Sequence, residues 1–238
     1  MSVAACEDET CPVPSPDGRT DAVTGHLWAR GTSLARGHPT HLSPAGFGPA
    51  GAGRAARFSP LTGVSHAYVA RVETAALLET ALRDVGGPDR TVYPPMLAGW
   101  SWGRVTTTAD LRLADLRDGA LAALEIRPDQ LTTCSPRHYR CTGAWASALH
   151  TAGFDGAVWH SRQATMHRDA LNARGGGLAA ALLTHVAVEV AAVWSPPADQ
   201  RVLVADPSGP PRPLLDEDGR PDQLVLELAV LLDITVEA

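Results

Sequence analysis

The chain has 238 residues, 45% of them hydrophobic, which is enough to bury a large core in a globular domain. Its net charge of −6 argues against a protein that binds nucleic acid directly through a broad basic face. Its apolar stretches are too short or too interrupted by charge to predict a membrane span. Nothing before Cys6 resembles a secretory signal, so we expect a cytoplasmic protein with reduced thiols.

The N-terminal residues and the first strands come next in chain order. Residues 1–22 are polar and rich in Pro, Asp and Glu, and they predict a disordered arm before a single domain over residues 23–238. "GHLWARGTS" predicts a first strand. Residues 37–56 form a long loop rich in Gly, Pro and Ala, a length that is often functional within a domain. "SHAYVARV" then predicts a second strand.

The clearest predicted helix is "ETAALLETALRDVGG". Leu78, Leu82 and Val85 recur at helical spacing, and two glycines supply a stop. "SPRHYRCTGAWASALHTAG" predicts another helix, and "GAVWHS" predicts a short strand with Ser161 at its exit. "HVAVEVAAVW" and "RVLVAD" predict strands, and "PDQLVLELAVLLDI" predicts a C-terminal helix.

Strands and helices alternate irregularly, without the glycine-rich phosphate loop of Rossmann or Walker proteins. We therefore predict an α+β fold with a bent, mostly antiparallel sheet and flanking helices. A metal site is not expected. In "CSPRHYRC", Cys134 and Cys141 surround His138 at a spacing that matches no common zinc pattern.

Two glutamates in the predicted helix have different expected roles. Glu73 and Glu79 are six residues apart, about 240° around a helix, so they cannot share a face. Glu73 falls in the first turn, where an acid favours the helix dipole. Glu79 has small apolar neighbours, so its carboxylate is expected to be half-buried and to need a cation or a donor. A structural ion pair with an arginine remains the alternative for Glu79.

Three further side chains could bind a nucleotide. Arg30 and Arg57 stand beside glycine-containing turns, where two guanidinium groups could hold a pyrophosphate by charge-assisted hydrogen bonds. Tyr68 lies in the middle of a predicted strand, and its ring could stack on a flat heterocycle. Each of these residues, taken singly, is more typical of a surface charge or of a core position.

Five short motifs follow one another along the chain. They are WARG with Arg30, RFSP with Arg57, HAYVA with Tyr68, ALLE with Glu79 and VWHSR with Ser161. The spacing from Arg57 to Tyr68 equals that from Tyr68 to Glu79. In these motifs and their order the chain resembles the RES domain family, named for its Arg, Glu and Ser, over about residues 25–195.

The resemblance implies a fold similar to that of ADP-ribosyltransferases and the role of a toxin in a toxin–antitoxin pair, with an Xre-type antitoxin as partner. Known RES proteins cleave the nicotinamide–ribose bond of NAD, in some cases with inorganic phosphate as the acceptor. NAD is then the substrate, phosphate a candidate co-substrate, and no metal is required. The resemblance assigns catalysis to Glu79, Arg57 and Ser161, and NAD binding to Arg30, Arg57, Tyr68 and Ser161.

Two other functions stay open at this point. The chain could be an ADP-ribosyltransferase that modifies a macromolecule, or a non-catalytic module that binds a nucleotide. The presence of the Arg, Tyr, Glu and Ser positions argues against an inactive domain. A homodimer is also left open by the sequence.

Overall fold

The computed structural model describes residues 6, 8–48, 56–59, 63–83, 85, 91–173, 188–195 and 201–237. The strands are β1 Gly25–Trp28, β2 Ser33–Pro39, β3 His66–Ala70, β4 Thr91–Val92, β5 Trp100–Thr107, β6 Leu111–Asp115, β7 Gly156–His160, β8 Glu189–Trp194, β9 Leu203–Ala205, β10 Arg212–Pro213 and β11 Thr235–Val236. The helices are α1 Glu73–Leu78, α2 Pro94–Leu97, α3 Asp118–Ala123, α4 Tyr139–Thr151, α5 Arg162–Ala173 and α6 Gln223–Leu232.

Nine of the described strands form one sheet, in the order β1-β6-β7-β8-β3-β2-β5-β10, with β9 also paired to β5. Every neighbouring pair is antiparallel except β6 and β7, which are parallel. β4 and β11 form a separate parallel pair. The mixed α+β architecture with a mostly antiparallel sheet and flanking helices is the predicted one, and this prediction is confirmed.

The two faces of the sheet bury two separate apolar clusters. Strand alternation sends Leu34 of β2 to one cluster and its neighbour Ala35 to the other. The larger cluster lies under the helices and includes Leu77 of α1, Trp145 of α4 and Trp159 of β7. The candidate site described below lies at the edge of this larger cluster.

The end of α1 comes very close to β2 at Gly37. A Cβ atom on Gly37 would lie 2.2 Å from the Thr80 hydroxyl oxygen and 3.5 Å from the Ala76 carbonyl oxygen. Any larger residue would therefore push the end of α1 away from the sheet. Glycine at this position therefore allows the chain next to Glu79 to pack directly on β2.

The structure differs from the predicted helix at its C-terminal end. The apolar spacing of Leu78, Leu82 and Val85 favoured a helix that reached the two glycines, but α1 ends at Leu78 and turns follow. The amides of Thr80 and Leu82 both donate to the carbonyl of Leu77, three and five residues back, so the four-residue bonding of an α-helix does not continue after Glu79. Leu82 and Val85 are buried all the same, because a turn can present them to the core as well as a helix can.

The N-terminal segment also differs from the disordered arm predicted for residues 1–22. Its described part lies along α4, where the indole Nε1 of Trp145 donates to the carbonyl of Pro14 at 2.7 Å and Val13 packs against the core. The buried indole needs an acceptor, and the polar composition did not reveal that an apolar anchor was present.

Among the described residues, no helix has both the length and the apolar character needed to cross a bilayer.

Candidate functional site

A cavity of about 410 Å³ opens beside the end of α1, a volume in the range of small-molecule sites. Its walls come from β3, β7, the start of α4, α2 and the turns that follow α1. The lining residues are Ala56, Arg57, Tyr68, Glu79, Thr80, Ala81, Arg83, Met96, Trp100, Tyr139 and Trp159. The cavity thus combines one carboxylate, two guanidinium groups and four aromatic rings.

The carboxylate of Glu79 is held by a serine from a distant part of the chain. The hydroxyl of Ser161 donates to Glu79 Oε1 at 2.6 Å, a short charge-assisted hydrogen bond. Ser161 is completely buried where β7 passes into α5, and its Oγ also accepts from the amide of Ala164 at 3.1 Å. The serine therefore caps α5 and orients Glu79 with the same hydroxyl group.

Opposing influences act on the ionisation of Glu79. Burial raises the pKa of its carboxyl group, because a charged carboxylate loses water in this position. The hydrogen bond from Ser161 and the positive charges of Arg57 and Arg83 act in the opposite direction, and burial outweighs them. The cavity therefore contains a carboxylate that keeps a proton at a higher pH than an ordinary glutamate would.

Arg57 is fixed to its surroundings but retains donor capacity. The hydroxyl of Tyr68 donates to the Arg57 carbonyl at 2.9 Å, and Arg57 Nη2 donates to the Cys134 carbonyl at 3.3 Å. The guanidinium carbon lies 5.3 Å from the ring centroid of Tyr139, a cation–π distance. Within the described residues, the buried Nε of Arg57 has no hydrogen-bond partner. Such a group can donate a hydrogen bond to an anionic or carbonyl oxygen of a bound molecule.

Aromatic side chains of β3 and β7 form another wall. The rings of Tyr68 and Trp159 meet edge to face, with centroids 6.2 Å apart and an interplanar angle of 84°. Burial raises the pKa of the Tyr68 phenol, so this group stays neutral at physiological pH. Trp159 is 1% exposed, and its Nε1 has no acceptor in the part of the chain that the structure describes. This wall offers flat apolar surface together with one further donor.

Four of the five predicted site residues meet here, but Arg30 does not. Arg30 is exposed in the turn between β1 and β2, where its amide donates to Asp110 at 2.7 Å, and it does not line the cavity. The tripeptide Ala-Arg-Gly that contains Arg30 also occurs at 35–37, where the arginine, Arg36, is buried. Arg36 donates to the carbonyls of Pro44 (2.6 Å) and Gly46, so it supports the loop and does not enter the cavity.

Arg83, Trp159 and Tyr139 line the cavity but were missed in the sequence. Arg83 stands four residues after Glu79, the spacing that puts a cation near a carboxylate on a helix, and this signal was available. Trp159 is two residues before Ser161, so strand alternation places the two on one face. Tyr139 has no comparable signal, because its position depends on where α4 meets the segment around Arg57.

Comparison with family models assigns the chain to a defined family. The model of the RES domain family matches residues 30–202, and the chain belongs to the RES domain family. This match confirms the resemblance drawn from the five motifs. A search of curated proteins found no match. Among solved structures, the chain is similar to one in the crystal structure of the M. tuberculosis MbcT–MbcA toxin–antitoxin complex, with 15% identity, a TM-score of 0.48, and coverage of 84% of this chain and 93% of that chain.

Proposed function

We propose that this protein cleaves the nicotinamide–ribose bond of NAD at the cavity around Glu79 and acts as the toxin of a toxin–antitoxin pair. The observation that carries the proposal is the 2.6 Å hydrogen bond that fixes the Glu79 carboxylate in a cavity with two guanidinium groups. Membership of the RES domain family supports the same reading. The roles below are assigned on that basis.

Cleavage of the nicotinamide–ribose bond depends on stabilisation of positive charge on the ribose more than on acid catalysis. When the bond between the ribose carbon and the pyridinium nitrogen breaks, its electron pair stays on nitrogen, and nicotinamide leaves as a neutral molecule. Positive charge then develops on the ribose, and an ionised Glu79 facing this carbon or the adjacent hydroxyls stabilises it. The acceptor oxygen, from phosphate or water, bonds to the same carbon and releases a proton to solvent.

The other residues of the site bind the substrate or position Glu79. Arg57 and Arg83 supply positive charge for the pyrophosphate of the dinucleotide or for an acceptor phosphate. The unpartnered Arg57 Nε favours a role in binding an oxygen-rich group. Tyr68 and Trp159 provide surface against which the nicotinamide ring can pack. Ser161 is a positioning residue, because it acts on the substrate through Glu79.

A single assay series tests the proposal. The purified chain, freed of any bound partner, is incubated with NAD, with and without inorganic phosphate, while free nicotinamide and the ribose-containing product are followed by chromatography and mass spectrometry. Phosphate-dependent release with ADP-ribose phosphate as product supports phosphorolysis, and release without phosphate supports hydrolysis. Transfer of labelled ADP-ribose to a macromolecule would instead identify a modifying enzyme. NAD that binds but is not consumed would identify a binding module.

The toxin role predicts a protein partner. We expect an Xre-type antitoxin, encoded by a neighbouring open reading frame, to block the cavity and to inhibit NAD consumption. Titrating the candidate partner against the purified chain measures this directly. NAD consumption that persists at saturating partner would separate the enzyme from the toxin–antitoxin role and leave the chemistry standing.

A further inference from the structure

Three cysteines from two distant parts of the chain meet beside α4. Cys6 and Cys11 belong to the N-terminal segment and Cys141 to the first turn of α4, and their sulfur atoms all lie within 4.8 Å of one another. The Sγ atoms of Cys11 and Cys141 are 3.6 Å apart. The imidazole Nδ1 of His138 lies 3.8 Å from Cys6 Sγ. Three thiols therefore surround one small volume, and one imidazole nitrogen lies beside the Cys6 thiol.

Contacts that do not involve the thiols hold the N-terminal segment in this place. Pro14 accepts from the indole of Trp145, and Asp8 lies 3.5 Å from the guanidinium of Arg137. On the other side of the cluster, His138 is 1% exposed. It lies in the short 3₁₀ turn Pro136–His138 directly before α4, so its ring is fixed by burial. The cluster is half-buried and adjoins a cavity of about 640 Å³ between the segment and α4.

We propose that Cys6, Cys11, Cys141 and His138 bind a zinc ion that joins the N-terminal segment to α4. In a tetrahedral site with Zn–S distances of about 2.3 Å, two ligand sulfurs are about 3.8 Å apart. The Cys11–Cys141 separation of 3.6 Å matches this value. A sulfur and an imidazole nitrogen on the same ion are about 3.5 Å apart, against 3.8 Å for Cys6 and His138.

The histidine needs a change of proton position to act as a ligand. Arg137 Nε donates to His138 Nε2 at 3.1 Å, which leaves the imidazole proton on Nδ1, facing Cys6. Metal binding at Nδ1 moves that proton to Nε2, where the carboxylate of Asp8 is 3.9 Å away. The Arg137 side chain is 67% exposed and is free to turn aside. A carboxylate behind the ligating imidazole is the usual second partner of a zinc-bound histidine.

Sequence spacing did not reveal this site, because it paired the wrong cysteine with His138. Cys134 and Cys141 flank His138 in "CSPRHYRC", but Cys134 is buried elsewhere, with its thiol donating to the Leu131 carbonyl at 3.4 Å. The N-terminal cysteines complete the ligand set in its place. Binding of zinc by three neutral thiols releases three protons to solvent, so the affinity of the site must rise with pH.

The full chain, purified with a thiol reductant, tests the site by elemental analysis and by cobalt substitution. We expect about one zinc ion per chain, and in the cobalt form the visible and near-ultraviolet bands of a tetrahedral thiolate site. Cys11→Ser and Cys141→Ser should lose the metal and the bands. His138→Ala should alter the cobalt bands while leaving the thiolate absorption. The matched control Cys134→Ala should keep a full complement of metal.

Several outcomes would overturn the inference, and none requires a variant to fold. A reduced wild-type chain that takes up neither zinc nor cobalt removes the site. Octahedral cobalt spectra without thiolate absorption would do the same. A chain whose mass shows that Cys11 and Cys141 form a disulfide, and which regains no metal after reduction, would identify a redox pair in place of a metal site.

Discussion

The two glutamates at the ends of α1 lie six residues apart and have different surroundings. Glu73, at the first position of the helix, forms an ion pair with Arg104 of β5, whose side chain is 41% exposed. Glu79, just past the last residue, is bound by the buried hydroxyl of Ser161 inside a cavity. Water screens the charge of Glu73, whereas protein atoms surround the carboxylate of Glu79.

This difference separates a structural carboxylate from the one that we propose to be catalytic. A partly exposed ion pair at a helix N-terminus contributes little to stability and leaves its carboxylate with ordinary chemistry. A carboxylate that burial makes costly to ionise, and that a serine and two arginines help to ionise, is a typical catalytic arrangement. The comparison can be tested by changing each glutamate and its partners in turn.

The largest expected effect follows replacement of Glu79 by glutamine. Glu79→Gln keeps the shape of the side chain and removes the negative charge, so NAD turnover should fall by about 100-fold or more. Initial rates of nicotinamide release measure this loss. Turnover within a few-fold of wild type would show that Glu79 does not stabilise the reacting ribose.

The same variant has a predicted effect on stability. Burial raises the folded-state pKa of Glu79 above its unfolded value, so the stabilisation from this group is present at acid pH and lost as pH rises through the folded pKa. At pH 7, above the unfolded pKa, the raised folded-state pKa of Glu79 lowers the stability of the fold, and Glu79→Gln should have an equal or higher Tm. Near pH 4 the difference should vanish, because wild-type Glu79 is then protonated. A lower Tm at pH 7 would contradict this.

The next largest loss of activity is expected from replacing the arginine near Glu79, compared with replacing the arginine near Glu73. Arg57→Ala removes a positive charge and an unpartnered donor from the cavity, and we expect kcat/KM to fall by about 10- to 100-fold. Arg57→Lys keeps the charge without the planar fork and should lie between this variant and wild type. Arg104→Ala, the matched change beside Glu73, should leave kcat/KM unaltered. Equal losses in Arg57→Ala and Arg104→Ala would point to a general effect on folding.

A smaller effect is expected when Ser161 is replaced by alanine. Ser161→Ala removes the hydrogen bond that favours ionised Glu79, so the pKa of Glu79 should rise further. The acid limb of the kcat/KM profile should move to higher pH, with about a 10-fold loss near neutrality. A lower rate with an unmoved pH profile would assign Ser161 to the capping of α5 alone.

The sequence predicted the local parts of this site well. The strand that carries Tyr68, the position of Ser161 at the exit of β7, and the different surroundings of Glu73 and Glu79 all depend on periodicity within a few residues. These patterns can be recognised in the sequence because each one depends on the residues of a single strand or helix. The α+β class followed from the irregular order of the same elements.

Features that depend on contacts between distant segments could not be predicted in this way. The hydrogen bond between Ser161 and Glu79 joins residues 82 positions apart. The placement of Arg30 in an exposed turn outside the cavity also depends on how distant strands pair, which its own motif does not show. The predicted end of α1 was wrong, because the apolar spacing of Leu82 and Val85 is equally compatible with buried turns, and the close approach of Thr80 to Gly37 of β2 is a contact between distant segments.

The smallest effect is expected for Glu73, the residue that completes the comparison. Glu73→Gln removes the ion pair with Arg104, and the side-chain exposure of the pair limits the loss of stability to less than about 1 kcal/mol. NAD turnover should match wild type, because neither Glu73 nor its partner Arg104 is among the described residues that line the cavity. Chemical denaturation measures the stability, and adding salt to wild type should reproduce the change. If Glu73→Gln lost as much turnover as Glu79→Gln, the catalytic charge could not be assigned to one end of the helix.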